Sequence, residues 1–267
     1  MGSRSAFPLV VIAALVALFA MSWSALTAAA RGRDAQGDPT TEPAQLLLAP
    51  PPPVSEPRPQ PRPRHRLRGV HRIAVVDGSV PLRARPNGPV LSRAGARTEF
   101  GGRRVMSVAA ERGAWLGVVA TELPNGRLAW VSRRNTALHL RRNAYSLHAD
   151  LSGRRLELRR GGRLVKRLTV AIGRPGSETP TGRFAVTDKL NGRSFRAYYG
   201  CCVLALNGHQ PKLPAGWSGG DRLAIHGTDS PGTIGAAASA GCLRASDADL
   251  EVLMRRVPLG TPVFIRD

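Results

Sequence analysis

Lysine is nearly absent from this chain. Three Lys stand beside 36 Arg, with 18 Asp and Glu to oppose them, for a formal charge of +21 over 267 residues. A basic excess of that size suits a polyanion: nucleic acid, an anionic polymer or lipid headgroups. Aromatic residues make up only 5% of the chain and none interleave a basic patch. The stacking platform that nucleic-acid binding uses is therefore missing, and the arginines are spread along the sequence. Cysteine is scarce as well, with three in all. No Cys/His spacing suits zinc, so no metal and no cofactor are implied.

What is present begins with an apolar run, Ala6 to Ala30, preceded by Arg4 and followed by Arg31 and Arg33. About 20 apolar residues cross a bilayer core as a helix. Ala28-Ala29-Ala30 also fits the small-residue exit of a signal peptide. Residues 1–30 therefore read as a signal anchor or a signal peptide, with the membrane as partner in the first case. In both cases the rest of the chain lies outside the cytoplasm, which removes nucleic acid as a partner. Residues 31–69 form a Pro/Arg-rich linker: ten of the 22 prolines fall between Pro39 and Pro63. Proline fixes φ and removes donors, so this segment is expected as an extended spacer rather than a packed element.

Residues 70–140 change to short strands. RIAVV, PLRARP, RRVMSVAAE, AWLGVVAT and RLAWVS are separated by DG, NG, GG and PNG turns, which predicts a small β-barrel. From Tyr145 a second β-rich unit begins, with a hairpin through Gly161-Gly162 and a further strand, GRFAVTDKL. The run from Phe195 to Leu206 is expected to carry a strand, and LNGHQPKLPAGWSGG to be loop. Ser246 is placed to cap a short helix, DADLEVLMRR, with Asp247 and Asp249 in its first turn and Arg255-Arg256 in its last. TPVFIRD reads as a closing strand.

The chemistry concentrates between His226 and Arg244, HGTDSPGTIGAAASAGCLR. A thiol nucleophile needs a base within hydrogen-bond reach and amide N–H groups aimed at the developing oxyanion. Cys242 supplies the thiol and His226 the base. Gly227 can return its carbonyl to the imidazole Nδ1–H and fix the tautomer. Gly241 removes side-chain bulk beside the nucleophile, so that neighbouring amides converge, and Ser239 can hold the turn. Cys201 and Cys202 are adjacent. They read as a vicinal disulfide or as two buried thiols, either of which leaves Cys242 over; a pairing of one of them with Cys242 in an oxidised form is also open.

The pattern H-G-T-x-x-P-x-x-I-G-x-x-x-S-x-G-C-L-R resembles the signature of the YkuD-type L,D-transpeptidases. It matches at His226, Gly227, Thr228, Pro231, Ile234, Gly235, Ser239, Gly241, Cys242 and Arg244. Ala240 stands where many members carry His. The Thr179-Pro180-Thr181-Gly182 turn is similar to the opening half of the same domain, so the resemblance covers about residues 145–267, within a catalytic domain expected at 141–267. The preceding barrel looks like a bacterial SH3-like domain.

The resemblance implies a mainly β fold: an L,D-transpeptidase-type β-sandwich with a short C-terminal helix behind a small SH3-like β-barrel. It implies a cysteine-dependent acyltransferase in the cell envelope acting on peptidoglycan stem peptides, and carbapenem-type β-lactams as covalent inhibitors. Cys242 would attack the third-residue carbonyl of a tetrapeptide stem, His226 would move the proton, and a neighbouring stem amine would complete a 3→3 cross-link. Water as acceptor would make an L,D-carboxypeptidase. A non-catalytic wall-binding protein is the rival from a different class, against which the intact motif weighs. Arg244, Thr228, Tyr198, Tyr199 and His209 are the candidates for substrate binding. A papain-like arrangement is excluded by chain order, since Cys precedes His there.

Overall fold

The computed structural model describes residues 69–267; the expected anchor and most of the linker lie outside the described residues. Among the described residues, no helix is long and apolar enough to cross a membrane.

The first lobe is one seven-stranded sheet. Its strands are β1 (His71–Val76), β2 (Val80–Arg83), β3 (Val90–Ala94), β4 (Val105–Arg112), β5 (Trp115–Val118), β6 (Ala129–Ser132) and β7 (Leu138–Asn143). They run in the order β3-β2-β6-β5-β4-β1-β7, antiparallel throughout. Alternating apolar residues put Val80, Leu82, Met106, Leu116 and Val131 on one buried face, as a period of two requires.

The second lobe holds β8 (Tyr145–Asp150), β9 (Arg155–Arg160), β10 (Arg163–Thr169), β11 (Ile172–Gly173), β12 (Gly182–Asn191), β13 (Cys202–His209), β14 (Arg222–His226), β15 (Ala237–Ser239), β16 (Leu243–Arg244) and β17 (Pro262–Arg266). Eight of these form a sheet in the order β10-β9-β8-β17-β12-β13-β14-β16, while β11 and β15 pair in parallel on their own. Among the described residues the architecture is mainly β with one short α-helix near the C-terminus, α1 (Asp247–Arg256). Ser246 caps that helix by accepting from the Asp249 N–H at 3.2 Å, with Asp247 and Asp249 in the first turn and Arg255 and Arg256 in the last. Leu250 and Leu253 on its inner face join the core of Leu147, Phe184, Leu204 and Ile225. Each such side chain contributes about 1.5–3 kcal/mol on burial.

Strand β13 runs through His209, three residues further than the sequence suggests. Asn207 and Gly208 read as a turn, yet both serve the sheet. The Asn207 side chain accepts the Ala185 N–H at 2.7 Å. A Cβ on Gly208 would stand 2.5 Å from the Phe184 ring, so glycine is there to admit an aromatic side chain.

Polar contacts join the two lobes. The Thr98 hydroxyl donates to the buried Asp188 carboxylate at 2.5 Å, and Arg183 donates to the Val108 carbonyl at 2.8 Å. Asn143 donates to the Thr261 hydroxyl at 2.8 Å. Asn125 makes a two-way pair with the His209 backbone, at 2.6 and 2.9 Å. Glu99 forms an ion pair with Arg222.

Candidate active site

Strands β14 and β16 lie side by side in parallel, with Ile225 opposite Leu243 and His226 opposite Arg244. This register carries the end of β14 and the residue just before β16, which is Cys242, to one edge of the sheet. His226 is fully buried. Its Nδ1 lies 2.6 Å from the Gly227 carbonyl, which can only accept, so Nδ1 carries the proton. Nε2 is left bare, buried and without a protein partner. Burial pushes the imidazole down to about 4; the nearby Arg244 charge adds to this, against the Gly227 hydrogen bond and Asp229. The imidazole is therefore neutral at ordinary pH, with an acceptor nitrogen ready for a proton.

Cys242 is the free thiol, since Cys201 and Cys202 are joined by a disulfide. Burial pushes the Cys242 thiol up, while the Ala224 N–H and Arg244 pull it the other way. Its sulfur lies 3.9 Å from the Arg222 carbonyl. The resting pair is a neutral thiol and a neutral imidazole.

The turn before the nucleophile is fixed from two sides. Ser239, fully buried, donates to the Cys242 carbonyl at 2.6 Å and accepts the Gly241 N–H at 3.1 Å. The Gly241 amide is thereby committed to the turn. The Cys242 N–H makes no hydrogen bond to protein among the described residues and is the amide left for an oxyanion. On the other side stands Gln210, a buried residue with no signal in the sequence reading. Its amide nitrogen lies 3.2 Å from the Ala240 carbonyl, 3.0 Å from that of Glu178 and 3.3 Å from that of Ser177. A Cβ on Gly241 would stand 1.9 Å from that nitrogen, and Gly241 has a φ of +120°. Only glycine fits beside the cysteine. The 179–182 turn is tied in as well, with the Thr179 hydroxyl accepting the Gly173 N–H at 2.8 Å.

The remaining candidates separate. Tyr198 and Tyr199 stand over His226, with ring centroids at 5.5 and 5.0 Å, and line the same cleft as Cys242, Gln210 and Trp217. Burial, then the Cys242 sulfur, pushes the Tyr199 phenol up, so it keeps its proton and can donate. Arg244 is buried. Its guanidinium lies over the Tyr198 ring at 4.5 Å and donates to the Tyr198 hydroxyl. In this position it is a fixed cation behind the site. Thr228 accepts the Ser230 N–H at 3.0 Å within its own turn. His209 faces the first lobe: its ring nitrogens lie 2.9 Å from Asp221 and 2.7 Å from the Thr121 carbonyl, and it is absent from the cleft lining. Asp247, read from the sequence only as a first-turn acid of the helix, also accepts the Cys201 N–H at 3.0 Å.

A neutral imidazole with a free acceptor nitrogen, and a free thiol that shares the neighbours Tyr198 and Tyr199 with it, are the groups a thiol-dependent enzyme uses. Residues 144–265 match the model of the YkuD L,D-transpeptidase catalytic domain. A Bacillus licheniformis protein named "Putative L,D-transpeptidase YkuD" is 34% identical over 123 residues, 45% of this chain and 65% of the relative. The Bacillus subtilis protein of the same name is 31% identical over the same shares. The chain thus spans about 65% of the length of these curated relatives. Among solved structures, an L,D-transpeptidase from Mycobacterium smegmatis aligns over 62% of this chain and 91% of its own, at 16% identity and a TM-score of 0.39.

Proposed function

We propose that the chain is a peptidoglycan L,D-transpeptidase that makes 3→3 cross-links. The observation that carries the reading is the His226–Gly227 hydrogen bond, which leaves a bare, neutral Nε2 in the same small site as the free Cys242 thiol. Cys242 Sγ attacks the carbonyl of the third stem residue, and its proton passes to His226 Nε2. A C–S bond forms, and the negative oxygen is held by the Cys242 N–H; losing one such donor typically costs about 10²–10³ in rate. The C–N bond to D-Ala then breaks, and His226 returns the proton to the departing amine. The amine of a neighbouring stem attacks the thioester, gives its proton to His226 and releases the thiol. Arg244 and the Ser239 turn hold these groups in register, and Tyr198 and Tyr199 wall the cleft.

Within this reading residues 1–30 hold or export the chain, 31–69 space it from the membrane, and 70–140 form an SH3-like β domain ahead of the catalytic domain at 141–267. The enzyme then acts outside the cytoplasm, in the cell envelope.

Carbapenem-type β-lactams carry an activated carbonyl that the same thiol should open. Intact mass after incubation with a carbapenem should rise by one inhibitor in the wild type and not in Cys242→Ala. Incubation with tetrapeptide muropeptides should then release D-Ala and give a 3→3 dimer. Release of D-Ala with monomeric tripeptide would make the enzyme a carboxypeptidase. No adduct and no D-Ala release would remove the enzymatic reading.

A further inference from the structure

Two large apolar side chains near the site have no role in the chemistry above. Phe100, in the loop between β3 and β4, is 39% exposed, and Phe195, in the turn after β12, is 50% exposed. They come from different lobes and meet edge to face at 6.5 Å. From Phe195 the contacts continue to Tyr199 at 6.3 Å, from Tyr199 to Tyr198 at 5.1 Å, and from Tyr198 to Trp217 at 6.1 Å. The last three rings line the cleft that holds Cys242. A file of five rings therefore runs from the surface of the first lobe to the nucleophile. Neither phenylalanine belongs to a core cluster, and exposed apolar side chains grouped in this way mark a binding surface. The segment Gly192–Tyr199 contains no acid, and its two arginines, Arg193 and Arg196, are exposed.

We propose that this file is a subsite for the glycan strand of the polymer whose stem peptide enters the cleft. The inference rests on the L,D-transpeptidase reading and specifies what part of the substrate the first lobe touches. Pyranose rings have apolar C–H faces and polar rims. They pack on aromatic rings by dispersion while their hydroxyls stay in water. A file one ring wide suits a linear polymer better than a globular partner, whose interface buries about 800 Å² a side. Stem peptides branch from the glycan, so the glycan must lie where the peptide enters. Arg193 and Arg196 flank Phe195 in the chain and are exposed, with Arg193 3.9 Å from the Asp247 carboxylate.

The test uses the full chain and the variants Phe100→Ala, Phe195→Ala and both together. Glycan strands stripped of peptide are titrated by calorimetry, and turnover is compared between free tetrapeptide and the same tetrapeptide on glycan. The wild type should bind bare glycan, and the double variant should lose about tenfold in affinity. The preference for the glycan-borne donor, as a ratio of kcat/KM values, should fall by a similar factor. Phe195→Trp should restore most of both. No binding of bare glycan by the wild type, or a donor ratio that the double variant leaves unchanged, overturns the subsite. Glycan binding through these residues without turnover of either donor would instead retain the subsite and remove the transpeptidase reading.

Discussion

The buried imidazole of His226 couples folding to pH in a direction that can be worked out. Its folded value lies near 4, against 6.5 for a free histidine, so the unfolded chain takes up a proton first as pH falls. The stability this group contributes is fully present above pH 6.5 and is lost progressively down to about pH 4. The shift corresponds to about 3 kcal/mol in all. His226→Gln removes the titration. The melting temperature of the wild type should therefore fall further between pH 6.5 and 4 than that of the variant. Parallel curves would show that the imidazole is not held neutral. At this scale the sequence is informative about reactive groups and silent about supports. Cys242 and His226 can be picked out because only certain side chains carry nucleophile and base. Gln210 cannot, because its role depends on three carbonyls from segments distant in sequence. Its one trace is Gly241, whose missing Cβ leaves room for the amide.

Among the elements, helix α1 and strands β1, β4, β5 and β6 follow the sequence closely, because apolar alternation and capping chemistry fix them locally. Strand β3, Val90–Ala94, is mostly exposed at a sheet edge and has no apolar face to betray it. Strand β7, LHLRRN, is largely charged and owes its existence to pairing with β1 over six residues. Strand β13 illustrates the opposite case: Asn207-Gly208 carries a turn signal that packing against Phe184 overrides. The entrance to β13 also bears on cysteine chemistry. Cys201 and Cys202 are joined, while the Cys202 carbonyl accepts the Gly227 N–H at 3.1 Å, next to His226. Alkylation of the chain unfolded without reductant should modify one thiol, and after reduction three. Three without reductant would mean that the disulfide does not form.

For the molecule as a whole, the contacts between lobes set how it unfolds. Asp188 is buried and accepts from Thr98 across the boundary, so Thr98→Val leaves a buried carboxylate oxygen without its donor. Such a loss costs about 1–3 kcal/mol or more when the stranded group is charged. Calorimetry of the described part should show one transition, moved down as a unit in the variant. Two transitions, of which only one moves, would mean that the lobes are independent. None of these contacts is legible in the sequence, since each joins residues about 75 to 120 positions apart with no periodicity to announce them.

Strand β17 is Pro262–Arg266, and it lies in the middle of the second sheet, between β8 and β12. A chain that emerges from its N-terminus has both neighbours in hand long before this strand arrives. The sheet stays in two pieces until residues 262–266 are free to insert. A ribosome that still holds them keeps β8 and β12 apart, so this lobe closes its sheet only once the last strand is released.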